Sequence, residues 1–169
     1  MALSILTYGS KILRKRAAPV PKVSAAMKLL ADDMLEAMYE ANGIGLAAPQ
    51  VGESLRLIVV DASGDEKKRE PRILFNPEIL EMQGKILCEE GCLSVPEVWA
   101  NVTRAEIITV KAMDREGKSF ELKDITGLLA RCIQHEIDHL EGVLFVDKIS
   151  ATDRILNAAK LKKMAREAR

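Results

Sequence analysis

The sequence predicts an α+β domain: mostly antiparallel sheets packed around a central helix, with a further helix toward each end. Three observations carry this expectation. Apolar residues recur at helical spacing in three separated segments, strand-like runs cluster between the first two, and no regular βαβ alternation links them. The 169 residues contain no internal repeat, low-complexity tract or Pro/Gly/Ser linker, so residues 1–169 are expected to form one domain.

The first helix is expected from about Ser24 to Ala41. Ser24 is its N-cap, Met27, Leu30, Met34, Leu35 and Met38 recur along one side, and Gly43 follows its end. Residues 55–62 (LRLIVVDA) are apolar and β-branched and read as a buried strand. Residues 73–80 and 84–96 look extended, broken by Pro77, Gly91 and Pro96. Residues 105–122 read as a hairpin turning at Asp114 to Gly117. The central helix, DITGLLARCIQHEIDHLEG, starts at Asp124 or Thr126 and stops before Gly142. A last helix from about Thr152 would place Ile155, Leu156, Ala159 and Met164 on one side.

With 48% apolar residues, 30% charged and a formal net charge of zero, the chain falls outside the disordered class, and its bulk charge calls for neither nucleic acid nor an anionic membrane. No apolar run is long enough for a signal peptide or a membrane span, so a cytoplasmic protein without a membrane partner is expected. In that reducing setting Cys88, Cys92 and Cys132 are better suited to ligation or catalysis than to disulfides.

The stretch QHEIDHLEG contains both histidines of the chain. At about 100° per residue, His135 and His139 lie roughly 40° apart around the helix, with Leu128 and Cys132 on the same face. Leu129, Ile133, Ile137 and Leu140 form a separate stripe for the core, and Glu136 falls at the border. Two imidazoles to hold an ion, with a carboxylate beside them to take a proton from the metal-bound water, is what metal-assisted hydrolysis needs.

The third ligand must be a carboxylate or a thiolate. Downstream stand Glu141, nearly adjacent on the same helix, and Asp147, Asp153 and Glu167, in or near a short polar tail; none has a glutamate-bearing core helix around it. Cys92 in EEGCLSVP is better placed, after a glycine that permits an unusual backbone and before Leu93 and Ser94 in an expected edge strand. A His2Cys set leaves a fourth position open. Cys88 is its rival through the CxxxC pair, and Cys132 reads as a wall residue. In NGIGLAAPQVG, Gly43 and Gly45 allow the backbone close to a ligand, and Gln50 is a neutral donor for a developing oxyanion. A helix end followed by a plain loop explains the same residues.

GIGLAAPQ (43–50), EGCLS (90–94) and QHEIDHL (134–140) together resemble the peptide deformylases in identity, order and spacing, over essentially the whole chain. The resemblance implies removal of the N-formyl group from the initiator methionine of nascent polypeptides, releasing formate. It implies Cys92, His135 and His139 as metal ligands, with Fe(II) the usual ion and Zn, Ni or Co able to replace it. Glu136 would be the general acid/base, Gln50 and the Leu93 backbone N–H would stabilise the oxyanion, and Gly45 would line the cleft. Ile44, Leu128 and Cys132 are candidates for the methionine pocket. Residues 93–98 could pair with an extended peptide, and Trp99 lies where the family varies.

Residues 152–169 carry six basic against two acidic side chains, a local +4 that reads as a solvated face or as a surface for ribosomal RNA. A broader metallopeptidase would need a carboxylate in place of Cys92. A non-catalytic binder of N-termini would need neither Glu136 nor Gln50.

Overall fold

The structure is a computed structural model and describes residues 2–168. Helix α1 (Ala25–Glu40) starts at the expected cap, where the Ser24 hydroxyl accepts from the Met27 N–H at 3.3 Å. At its other end the Gly43 N–H reaches the Met38 carbonyl at 2.9 Å. The left-handed residue in this closure is Asn42 (φ 57°), not glycine, because a short polar side chain tolerates that region.

Seven strands follow: β1 (Gly45–Ala47), β2 (Leu57–Val60), β3 (Arg72–Gln83), β4 (Ile86–Cys92), β5 (Val95–Arg104), β6 (Ile107–Met113) and β7 (Ser119–Ile125). Helix α2 (Gly127–Leu140) and helix α3 (Ala151–Arg166) complete the order. One antiparallel sheet runs β1-β2-β3-β6-β7, and β4 and β5 pair as a separate two-stranded sheet.

The apolar run of β2 has a direct cause. Leu57 and Val59 pack with α1 through Met34 and Met38, whereas Ile58 and Val60 pack with α2 through Ala130 and Ile133. A strand covered on both faces has no polar alternation to show. Helix α2 lies on the five-stranded sheet, with Ile133 and Leu140 in the core and Leu129 and Ile137 packed against it, as the expected stripe requires. It ends at Gly142 (φ 76°), where a Cβ would lie 2.6 Å from the Arg14 carbonyl oxygen. Its N-cap position is Thr126, and Asp124 (φ 51°) belongs to the end of β7.

Three expectations are corrected. The breaks expected at Pro77, Gly91 and Pro96 fall inside β3, β4 and β5, and the chain turns instead at Leu93 and Ser94, between β4 and β5. Residues 93–98 therefore join a turn to a strand whose Val95 and Val98 are buried against Phe145 and Val146. The α3 stripe also differs: Ile155 (75%) and Leu156 (74%) are exposed, while Leu161 is buried and Met164 packs beside it. The helix is seated by its C-terminal half against β5. Among the described residues, no helix is long and apolar enough to cross a membrane.

Candidate active site

The β4–β5 turn carries Cys92 to the ligand face of α2, with its Sγ 3.4 Å from His139 Nε2. One donor atom from each of Cys92, His135 and His139 lies within 4.8 Å of the others. A first-row cation bound at about 2.0–2.3 Å separates its ligand atoms by about 3.5 Å, so this donor set fits one ion and leaves a coordination position open.

The rival ligands are accounted for. Cys88 pairs across from Val102 and stands outside the cluster. The Cys132 thiol donates to the Ile44 carbonyl at 3.4 Å. Burial, reinforced by the Glu136 and Glu90 charges, pushes the Cys132 pKa well up and keeps it a thiol. Glu141 is held by Arg56 at 2.7 Å and Asp147 by Arg14 at 2.6 Å.

Behind the donor set runs a chain of charges, from buried His135 and Arg104 out to exposed Lys148. His135 Nδ1 lies 2.9 Å from Glu90 Oε1, and Arg104 grips the same carboxylate with Nε at 2.8 Å and Nη2 at 2.9 Å. Arg104 Nη1 also donates to Asp138, which Lys148 reaches at 2.9 Å. Burial works to raise the Glu90 pKa, but Arg104 and His135 outweigh it and bring it down to about 2. Glu90 is therefore an acceptor only, so His135 Nδ1 donates to it, which leaves Nε2 as the ring nitrogen that could hold a cation. Burial opposes the charged form of His135, yet its contacts with Cys92 and Glu90 raise its pKa well above the imidazole norm, so a cation taken up at Nε2 would displace a proton there. His139 goes the other way. Burial, with the His135 and Arg104 charges, holds its pKa well below the norm and keeps it neutral, as a metal donor must be.

Glu136 is buried, and its Oε2 has no hydrogen-bond partner among the described residues. Burial pushes its pKa up to about 7, against the pull of His135 and Arg104, a value suited to taking and returning a proton. Gly45 faces it. A Cβ there would lie 2.6 Å from Glu136 Oε1 and 2.7 Å from Cys132 Sγ. The glycine thus makes room for the carboxylate itself, a closer neighbour than the ligand contact the sequence suggested. Gly45→Ala is expected to displace the Glu136 carboxylate and, if that carboxylate carries the proton, to lower kcat by about 100-fold, with a modest fall in thermal midpoint from the added methyl. Steady-state kinetics beside a melting curve checks this.

Gln50 is buried in the short turn Ala48–Val51, with Oε1 accepting from the Ala47 N–H at 2.8 Å and Nε2 donating to Ser94 Oγ at 3.0 Å. A cleft of about 480 Å³ opens over these groups and is lined by Ile44, Gly45, Gln50, Cys92, Leu93, Leu128, Cys132, His135 and Glu136. Ile44 and Leu128 stand exposed at its mouth, and Cys132 is buried in its wall. All the expected cleft residues are there together, and His139 lies beneath.

The polypeptide deformylase family model matches residues 2–155. The chain belongs to that family. It is 51% identical to a peptide deformylase of Chromobacterium violaceum over 165 residues, covering 98% of this chain and 97% of the relative. A crystal structure of a peptide deformylase from Legionella pneumophila superposes with a TM-score of 0.90 at 49% identity, covering 98% of this chain and 96% of that one. A peptide deformylase from Synechococcus elongatus, crystallised in complex with actinonin, gives a TM-score of 0.88 at 44% identity, covering 95% of this chain and 87% of that one.

Sequence reasoning missed four members of this deformylase-type site: Glu90, Ser94, Arg104 and Asp138. Glu90 and Ser94 stood inside the quoted EGCLS, and an acidic residue two positions before a thiolate ligand was the available signal. Arg104 and Asp138 gave none, since their meeting depends on how β5 packs on α2. Gly91 was misread. Its φ is not left-handed, and what it requires is space, because a Cβ would sit 2.6 Å from the Trp99 ring that covers it at the cleft rim.

Proposed function

We propose that residues 1–169 act as one catalytic domain that hydrolyses the N-formyl group of formyl-methionyl nascent polypeptides and releases formate. The observation that carries this reading is Glu136, a buried carboxylate with an unpartnered oxygen beside the Cys92–His135–His139 donor set. In this reading those three residues hold one divalent cation, which when bound supplies Lewis-acid activation of water and of the formyl oxygen. Glu136 takes the proton from the attacking water and returns it to the leaving amine. Gln50 Nε2 and the Leu93 backbone N–H donate to the oxyanion. Ile44, Leu128 and Cys132 receive the methionine side chain, and Gly45 leaves room for the Glu136 carboxylate beside Cys132.

A donor set of two imidazoles and one thiolate suits Fe(II) and equally admits Zn, Ni or Co. Fe(II) is the proposed working ion. Chelation of anaerobically purified protein should abolish formate release from a formyl-Met peptide, and Fe(II) should restore it best, with actinonin as competitor. Formate release from the chelated protein at more than a tenth of the starting rate would sink the reading.

The enzyme is proposed to work in the cytoplasm, where nascent chains emerge, and the basic α3 to dock on ribosomal RNA. Deleting the helix would strip Leu161 from the core, so charge reversal is the better test. Lys162→Glu, Lys163→Glu and Arg166→Glu together should cut ribosome co-sedimentation about tenfold at low salt. Unchanged pelleting would end the docking idea and leave the chemistry untouched.

A further inference from the structure

Gln50 can serve an oxyanion only if its amide N–H points into the cleft. Two contacts set that direction. The Ala47 N–H holds Oε1 at 2.8 Å and so decides which end of the amide is oxygen. Ser94 Oγ accepts from Nε2 at 3.0 Å and so fixes the rotation of the amide plane, leaving Nε2 3.7 Å from Cys92 Sγ on the metal side. Ser94 is fully buried, and the Gln50 amide is its hydroxyl's partner. The N-terminal segment holds the two backbones at this spacing: the Leu6 N–H donates to the Gln50 carbonyl at 2.7 Å, and the Tyr8 N–H to the Ser94 carbonyl at 2.8 Å.

We infer that Ser94 is a positioning residue for the reaction, aiming the Gln50 amide at the developing oxyanion while the N-terminal strap keeps the pair in register. This rests on the proposed hydrolysis and adds to it the element that orients its neutral donor. Without the Ser94 oxygen the terminal torsion of Gln50 is free to turn, since such torsions are broad. One of its buried N–H groups also loses its acceptor.

The test is a double-mutant cycle on metal-loaded protein, read as kcat, KM and metal content. Wild-type protein is assayed first, and absence of formate release there would overturn the proposed function and not this inference. Ser94→Ala should lower kcat about tenfold, with KM and metal content unchanged. In a Gln50→Ala background the same change should cost less than twofold, because the group it orients is gone. Equal losses in both backgrounds, or a raised KM at constant kcat, would overturn the inference. Ser94→Cys, which keeps a weak acceptor, carries the same cycle with a smaller expected loss if the alanine variant fails to fold.

Discussion

Replacing Glu136 with alanine is expected to lower kcat for formate release by roughly 10³–10⁴-fold while the protein keeps its metal. The carboxylate stands next to His135 in the chain but outside the Cys92–His135–His139 donor cluster, so its loss leaves those three donors in place. Its unpartnered Oε2 and its pKa of about 7 mark it as a group held ready for a proton instead of one tied into the core. Glu136→Gln keeps the volume and removes only the titratable oxygen, and it should lose nearly as much. Cys92→Ala gives the opposite pattern, with metal content falling and activity following it. Metal analysis beside formate assays separates the two. Activity within tenfold of wild type in Glu136→Ala would sink the acid/base role, and full metal retention in Cys92→Ala would sink the ligand role.

The parts of this site carried by helix periodicity were legible in advance. Spacing alone put Leu128, Cys132, His135 and His139 on one face and Leu129, Ile133, Ile137 and Leu140 on another; the second packs on the core, and the first holds the donor pair with Leu128 exposed at the cleft mouth. Strand β2 was legible because burial on both sides leaves an unbroken apolar run. The contacts fixed by pairing between distant segments were not legible. Gln50 and Ser94 meet across 44 residues, Glu90 and His135 across 45, and the β4–β5 turn at Leu93 and Ser94 brings both about. The α3 error has a different origin. That helix is polar around most of its circumference and is seated by few side chains, so four apolar positions could not tell the covered side from the exposed one. Leu161 and Met164 lie on the covered side, Ile155 and Leu156 on the other.

Arg104→Ala should damage stability and metal affinity together. Its side chain is 3% exposed and satisfies Glu90 at two points and Asp138 at a third. Removing it leaves two carboxylates without their shared cation, one of them 10% exposed, and breaking a buried pair in this way costs about 3–5 kcal/mol. Lys148 still reaches Asp138, so most of the cost falls on Glu90. An unpaired Glu90 tends to bind a proton, and once neutral it is a poorer acceptor for His135 Nδ1–H. The ring then loses the contact that fixes its tautomer and aim, a change worth about 10–100-fold in metal affinity. Urea unfolding of metal-free protein measures the first effect and competition against a chelator the second. Combining Arg104→Met with Glu90→Gln distinguishes the two causes. With no bare charge left, much of the stability should return, while metal affinity stays low because His135 still lacks its carboxylate. Wild-type affinity in that double variant would show that the charge chain braces the fold and leaves the metal ligands unaided.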